Sequence, residues 1–435
     1  MNARSKNPAV GHGSDIARAY GSGDETGGMA DERRRSGFKD RTRLSAARQR
    51  LLEAVDPHDR TERLPLRMAD GRVVATPVTA DDPVPGYDRA AMDGVAVRAE
   101  DTFGADRHAP AMLETVPRAE GVDPGTASRV HTGSELPAGA DAVVRIEQVD
   151  AEDGRFAVRN PVAAGENVGE TGEDVAAGQR LYDPGHRLRP SDLGLLRSVG
   201  RWEVEVYTEP TVGVVPTGEE LVEADPEPGE VIETNGLTVA QQVARWGGEA
   251  TYRDIVTDDT AALRAAIQRD LTKDLIVTTG GSSVGQRDLL PEVLDDLGEI
   301  LVHGIGIKPG HPVGVGVVES TPVIMLPGYP VSCLVGAVQL LRPALKRMGH
   351  LPIEPLPSRE ATLGRKLPSE PGTRTFARVE LDREDGDLVA TPTRTGGAGV
   401  LSSVALTDGW VVVPEDREGY AAGDRVDVEN WEARP

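Results

Sequence analysis

The chain has 435 residues and a formal net charge of -23, from 71 acidic against 48 basic side chains. That length exceeds one ordinary core and implies several domains, while so acidic a surface argues against nonspecific nucleic-acid binding. With 38% hydrophobic residues and a single cysteine, Cys333, globular packing is allowed, a disulfide framework or cysteine-based zinc cluster is excluded, and no apolar run approaches a membrane span.

The basic residues are 42 Arg and 6 Lys. Abundant carboxylate with so little lysine resembles the proteins of salt-loving organisms, where it keeps the surface solvated, and on that reading the charge is silent about function. The first residues are polar and Gly-rich rather than signal-like, so a cytoplasmic protein is expected, with no membrane and no nucleic-acid partner.

Residues 1–38 lack apolar periodicity and read as a disordered tail. Leu44, Ala47, Leu51, Leu52 and Val55 fall at helical spacing and predict an amphipathic helix over 43–55. The turn Pro83–Gly86 and the pair Asp93-Gly94 lead into an alternating strand at Val95 and Val97, where Asp93 could equally cap its own turn. Thr132-Gly133 marks a second loop, and Ala142–Ile146 a further strand. A third loop, 165–178, carries Glu166, Glu170, Glu173 and Asp174, a pattern that is usually only solvated. Short strands with frequent turns predict a β-rich domain over 79–179, and residues 190–198 read as a helix.

From 207 to 350 strands and helices alternate, which predicts a parallel sheet with crossovers. The strands are 211–215, 251–256, 275–279, 300–305 and 323–326, and the helices lie near 236–246, 259–271, 288–297 and 331–347. The stretch Asp274–Asp288 is the most informative. A doubly buried strand breaks into Gly280, Gly281, Ser282, Ser283, Val284 and Gly285, then Asp288 opens a helix, giving bare amides that can cradle an oxyanion. A tight connection with Asp288 as a plain N-cap is the alternative. Two more strands run into loops, at Pro216-Thr217-Gly218-Glu219-Glu220 and at Leu326-Pro327-Gly328-Tyr329-Pro330, and ligands gather at such strand ends. Lys308 in KPGHP, in a chain that favours arginine, suits an oxyanion as a compact point charge. Cys333 reads as a small buried hydrophobe. Residues 351–435 return to short strands and predict a small β-barrel. No P-loop, nucleophile elbow or HExxH helix is present.

Seven stretches, AAMDGVAV (90–97), TGSELPAGADAVV (132–144), GEDVAAG (172–178), PTGEEL (216–221), TTGGSSVGQRD (278–288), KPGHPVGVG (308–316) and LPGYPVSC (326–333), resemble in order and spacing the molybdopterin molybdenumtransferases, MoeA, related to the gephyrin E domain. The resemblance covers roughly residues 40–435. It implies a segmented first domain (39–78 and 180–206), an inserted β-rich domain (79–179), a three-layer α/β molybdopterin-binding domain (207–350) and a C-terminal β-barrel (351–435). It also implies a homodimer whose site lies between the α/β domain of one copy and the inserted domain of the other.

The implied reaction is the last step of molybdenum cofactor synthesis. Molybdate enters the dithiolene of adenylylated molybdopterin and AMP is released with Mg²⁺. Asp93, Thr132, Asp174, Glu219 and Asp288 would be catalytic, with Glu219 and Asp288 on the metal. Thr217, Gly218, Gly280, Gly281, Ser282, Ser283, Gly285, Lys308, His311, Pro327, Gly328, Pro330 and Ser332 would bind substrate. Molybdopterin adenylyltransferase and molybdoenzyme apoproteins would be the partners in the pathway. The alternatives are the adenylyltransferase itself and a non-catalytic dimeric scaffold. Four positions depart from the usual pattern: Ala90 replaces Ser, Gly169 an Arg, His311 a Lys and Tyr329 an Asn. Two explanations are open: high salt favours a less charged site, or Arg187 or Arg287 compensates for the lost cations.

Overall fold

The structure, a computed structural model, describes residues 41–281, 289–393 and 397–433, so the expected tail at 1–38 lies outside the described residues. Helix α1 (Leu44–Glu53) buries Leu44, Ala47 and Leu51, the spacing that puts side chains on one stripe. That stripe packs into one apolar cluster with Val212, Val277, Leu345, Trp410 and Trp431. Arg48 on its flank donates to Gln339 Oε1 at 2.7 Å. Strand β1 (Thr61–Pro65) then pairs antiparallel with residues 203–207, from Thr61 opposite Tyr207 to Pro65 opposite Glu203.

Between these partners lies a six-stranded sheet: β2 (Gly94–Val97), β3 (Ala111–Thr115), β4 (Thr126–Val130), β5 (Ala142–Arg145), β6 (Val149–Glu152) and β7 (Arg155–Val158), in the order β5-β2-β4-β3-β7-β6. Only the β3–β4 pair is parallel. Val95, Val97, Leu113, Val144 and Phe156 form its core. The chain returns through α2 (Pro190–Ser198) and β8 (Glu203–Tyr207), which share a core of Leu66, Val74, Leu188, Leu196 and Val206 with the residues after β1. Asp192, in the first turn of α2, is buried and accepts from Arg189 Nη2 at 2.9 Å and His186 Nε2 at 2.8 Å.

The α/β region contains β9 (Thr211–Pro216), α3 (Asn235–Arg245), β10 (Glu249–Tyr252), α4 (Thr260–Asp270), β11 (Leu275–Thr279), α5 (Leu290–Leu297), β12 (Glu299–His303), β13 (Ile307–Lys308), β14 (Gly314–Val318) and β15 (Thr321–Leu326). Its sheet order is β10-β9-β11-β15-β14-β12. The first four strands are parallel, as expected. Strand β14, which was not expected, runs against them, pairing antiparallel with β15 on one side and with β12 on the other, so the sheet is mixed rather than purely parallel. The reason is connection length: β14 reaches β15 through Glu319 and Ser320 alone, with Glu319 at a φ of 55°, and so short a link permits only a hairpin. Strand β10 also stops at Tyr252 rather than 256, although Val256 still bridges to Thr217. The expected 331–347 helix is α6 (Pro330–Gly336), a π-helical turn at Ala337–Leu341, and α7 (Arg342–Met348).

Strands β16 (Ser358–Leu363), β17 (Arg374–Glu384), β18 (Asp387–Pro392), β19 (Gly409–Val413) and β20 (Arg425–Glu429) close into a five-stranded barrel, because β19 pairs with both β17 and β20. Closure removes the exposed strand edges of so small a sheet. The short β13 pairs in parallel with β17, Lys308 opposite Thr375, and so ties the α/β region to the barrel. Among the described residues no helix is long and apolar enough to cross a membrane.

Candidate functional site

Two groups of candidate residues form. The first stands on the inserted sheet. Gly133 N–H donates to Ala90 O at 2.8 Å, Ala90 N–H to Ser134 O at 2.9 Å, Ala91 N–H to Asn167 O at 2.9 Å and Asp174 N–H to Val84 O at 3.0 Å. These bonds knit the three loops bearing Asp93, Thr132 and Asp174 together. Asp93 does not cap its own turn: its Oδ1 accepts Thr132 N–H at 2.7 Å and Thr132 Oγ1–H at 3.0 Å. The amide bond from Thr132, then its hydroxyl, holds the Asp93 carboxyl below its ordinary value. Asp93 thus remains an exposed anion that fixes the Thr132 hydroxyl in place. Gly169 lies opposite Arg89 in a two-residue ladder. The Arg89 guanidinium meets Glu173 Oε1 at 2.5 Å, so a cation does stand beside position 169.

The second group sits at the carboxyl ends of β9, β11 and β15. Gly280 N–H donates to Leu326 O at 2.9 Å, and Thr217 N–H to Thr279 O at 3.3 Å. At Gly280 φ is +128°, and a Cβ there would lie 2.1 Å from Thr217 O; only glycine permits this approach. The hydroxyls of Thr217, Thr278 and Thr279 are buried without a hydrogen-bond partner among the described residues. Thr278 and Thr279 follow one another on β11 and so face opposite sides of the sheet, but Thr217 Oγ1 stands against the Gly280–Gly281 turn, where an orphaned hydroxyl can bond a ligand. Gly218 N–H reaches Val256 O at 3.1 Å, and Gly328 O accepts Asn235 Nδ2–H at 2.7 Å. Pro327 leads into that turn and Pro330 opens α6. Ser332 is buried, its carbonyl 3.3 Å from where a Cβ on Gly310 would stand. Ser282, Ser283, Gly285 and Asp288, which were expected to complete this cradle, lie outside the described residues.

Sequence reasoning missed three members. Asp259 is the cap of α4, accepting from Ala261 N–H and Ala262 N–H, but its neighbour Asp258 faces the site. Burial pushes the Asp258 carboxyl up, a bond from Glu219 N–H pulls it down, and repulsion from Glu220 and Glu219 raises it again. Crowded carboxylates of this kind supply hard oxygen donors. Among the described residues no group of three or more His, Cys, Asp or Glu is arranged to hold a metal ion, so Glu219 and Asp258 need further oxygens. Asn235 carries no motif of its own. The third is Glu370, whose Oε1 accepts the Lys308 ammonium at 2.7 Å.

His311 is half-buried, and burial, with Arg41 nearby, holds its imidazole below the ordinary value. Arg187 lines a different cleft of about 1010 Å³, with Asp70 and Arg245 between the first domain and α3, and Arg287 lies outside the described residues. Cys333 is buried, with its thiol pushed well up by burial, which suits a packing role. The hydrogen bonds, ion pairs and apolar cores among the described residues run within each of the two groups and not between them.

Three family models match consecutive stretches: the MoeA N-terminal region (domain I and II) over residues 42–200, a "Probable molybdopterin binding domain" over 213–347, and the MoeA C-terminal region (domain IV) over 360–431. The chain is 35% identical over 382 residues to molybdopterin molybdenumtransferase 2 of Mycobacterium tuberculosis, covering 84% of this chain and 94% of that protein. It is 32% identical over 383 residues to the molybdopterin molybdenumtransferase of Bacillus subtilis, covering 85% and 89%. Two crystal structures of the molybdopterin biosynthesis MoeA protein of Pyrococcus horikoshii superpose with TM-scores of 0.79 and 0.75 at 32% identity, over 91% and 90% of this chain and all of that one.

Proposed function

The chain belongs to the MoeA family and is a molybdopterin molybdenumtransferase, and from that premise we propose that it takes adenylylated molybdopterin and molybdate as substrates and releases AMP. The observation that carries this reading is the cradle at Thr217, Gly280 and Gly281, where strand ends meet backbone to backbone against the unpartnered Thr217 hydroxyl. A phosphorylated pterin offers an acceptor to the Thr217 hydroxyl, which the packing of Thr217 against the Gly280–Gly281 turn holds in place before the substrate arrives. Lys308 supplies a cation for an oxyanion at the seam between the sheet and the barrel.

A magnesium ion fits the donor set. Asp258 and Glu219 are hard carboxylate donors in mutual repulsion with Glu220, a crowding that a divalent cation relieves, and phosphate oxygens favour Mg²⁺ over softer metals. Glu219, Asp258 and Asp288 would hold it. When bound it supplies charge neutralisation at the phosphoanhydride. The chain's own residues do the rest: the cradle orients the pterin phosphate, and Asp93 holds the Thr132 hydroxyl in one direction for molybdate or the leaving phosphate.

Because Asp93 and Thr132 stand on the inserted sheet, and no hydrogen bond or ion pair among the described residues joins that sheet to the cradle, the reading is completed by a homodimer in which a second copy brings them in. The protein would act in the cytoplasm, receiving its substrate from a molybdopterin adenylyltransferase and passing cofactor to molybdoenzyme apoproteins. Purified protein given adenylylated molybdopterin, molybdate and Mg²⁺ is expected to release AMP. Adenylylation of molybdopterin from ATP instead, with no AMP release from the adenylylated substrate, would assign the preceding step.

A further inference from the structure

The first turn of α3 is held by a residue outside it. Thr234 stands at the cap position and gives the helix no side-chain bond; the residue before it does. Glu233 is buried, 8% exposed, and both of its carboxylate oxygens are taken: Oε1 accepts Gly236 N–H at 2.6 Å, and Oε2 accepts the hydroxyl of Tyr252, the last residue of β10. A carboxylate at a helix N-terminus meets the positive end of the helix dipole, and a buried one with both oxygens bonded is held in one direction. Burial, then the bond to Glu233, pushes the Tyr252 hydroxyl well up, so it stays a donor at neutral pH. The backbone of Glu233 is fixed separately, its N–H donating to Val222 O at 2.9 Å.

Close packing leaves this joint little play. A Cβ on Gly236 would lie 2.7 Å from Tyr252 Cε2 and 2.8 Å from Pro216 Cγ, so the start of α3 is pressed against the residue that precedes Thr217. From the same turn Asn235 Nδ2–H reaches Gly328 O at 2.7 Å, and a Cβ on Gly328 would find Gly280 Cα at 3.7 Å. Tyr252, Glu233, Asn235 and Gly328 therefore make one strut across the carboxyl ends of β10, β9 and β15, and it ends on the glycine turn of the cradle.

We propose that Glu233 is a positioning residue of the transferase: braced by the Tyr252 hydroxyl, it sets the start of α3 so that Asn235 holds the Gly328 turn against Gly280 where the phosphorylated pterin binds. Its oxygens are committed, so it acts through Asn235 and not on the substrate. A carboxylate that only stabilised the fold would lower the melting temperature whether or not Asn235 were present. A positioning carboxylate changes substrate binding, and its effect disappears once Asn235 is gone. The proposal rests on the reading of the cradle as the pterin-phosphate site.

The test is steady-state AMP release with adenylylated molybdopterin varied, together with equilibrium binding of molybdopterin to the full chain followed by pterin fluorescence. Tyr252→Phe keeps the ring that packs on Gly236 and removes only the hydroxyl; it is expected to raise KM and the molybdopterin Kd about threefold, with the melting temperature close to wild type. Asn235→Ala and Glu233→Ala are each expected to raise both about three- to tenfold, the range that one hydrogen bond allows, with kcat within about twofold of wild type because the cradle grips substrate and transition state alike. Glu233→Gln retains an oxygen for Gly236 N–H and a polar group for the Tyr252 hydroxyl, and is expected to recover most of the loss. In the Asn235→Ala background neither Tyr252→Phe nor Glu233→Ala is expected to weaken binding further. Wild-type KM and Kd in Tyr252→Phe, or effects that add in full to those of Asn235→Ala, overturn the proposal, and these two comparisons decide it even where Glu233→Ala fails to fold. Molybdopterin binding that follows the expected order in a protein releasing no AMP would leave the strut standing and refute the assigned reaction instead.

Discussion

Gly280→Ala is the sharpest test of the cradle. Gly280 sits at φ +128°, and an added Cβ would meet Thr217 O at 2.1 Å and Thr217 Oγ1 at 3.0 Å. The first distance is more than roughly 1 Å short of ordinary contact and involves backbone, which cannot swing aside like a flexible side chain. Holding a non-glycine residue in this conformation costs about 1–3 kcal/mol before the clash is counted. Relief requires the 217–218 loop to separate from the 280–281 turn, and a displacement near 1 Å at a positioned site costs on the order of 100-fold in rate. At roughly 2–4 °C per kcal/mol, the melting temperature is expected to fall by about 5–10 °C. AMP release and differential scanning calorimetry on the same preparation measure both effects. Gly328→Ala is the control for stability, because its Cβ would find only Gly280 Cα at 3.7 Å, and its melting temperature is expected to stay within the shift of about 0.5 kcal/mol typical of benign sites. Wild-type melting and turnover in Gly280→Ala would refute the packing argument and the cradle with it.

Asp93→Ala removes the acceptor for both Thr132 donors; turnover is expected to fall at least about tenfold, or about 1.4 kcal/mol of barrier, with melting unchanged because the carboxylate is exposed. Burial pushes the Asp192 carboxyl up, but bonds from Arg189 and His186 outweigh it and hold it well below the usual carboxylate range. A depressed folded-state pKa stabilises above the unfolded value near 3.8 and the stabilisation is lost as pH falls below it. Wild type is therefore expected to lose stability on acidification, and Asp192→Asn to be about 2 kcal/mol less stable at neutral pH with a flatter acid profile; parallel melting-versus-pH curves would contradict this. Chelation with EDTA is expected to abolish AMP release, and Glu219→Gln to raise the half-saturating Mg²⁺ concentration about tenfold or more, as titration of Mg²⁺ against initial rate will measure.

The sequence made the α/β alternation legible because β9, β11 and β15 are continuous apolar runs ending in glycine or proline, a pattern set by burial on both faces. The antiparallel strand β14 escaped it. Strand β14 carries Gly314 and Gly316, which weaken strand propensity, yet a Cβ on Gly316 would come within 2.9 Å of Glu299 O, so the neighbouring strand requires what the propensity disfavours. Asp93 and Thr132 were legible as loop residues, but their bond joins positions 39 apart in sequence, and no local pattern encodes it. Asp258 was hidden because two adjacent acids before a helix carry no local mark of which one caps it, and only the fold makes Asp259 the cap and turns Asp258 toward Glu219. Glu370 was hidden for the same reason, since its partner lies 62 positions away.

Leu44 and Trp431, about 390 positions apart in sequence, belong to one apolar cluster. During synthesis the helix of Leu44 therefore emerges long before the tryptophan that completes its packing, and the nascent protein carries an unfilled oily seam until Trp431 leaves the ribosome. Replacing Trp431 with a small side chain would reopen that seam beside the first helix, some 390 positions away in sequence but adjacent in space.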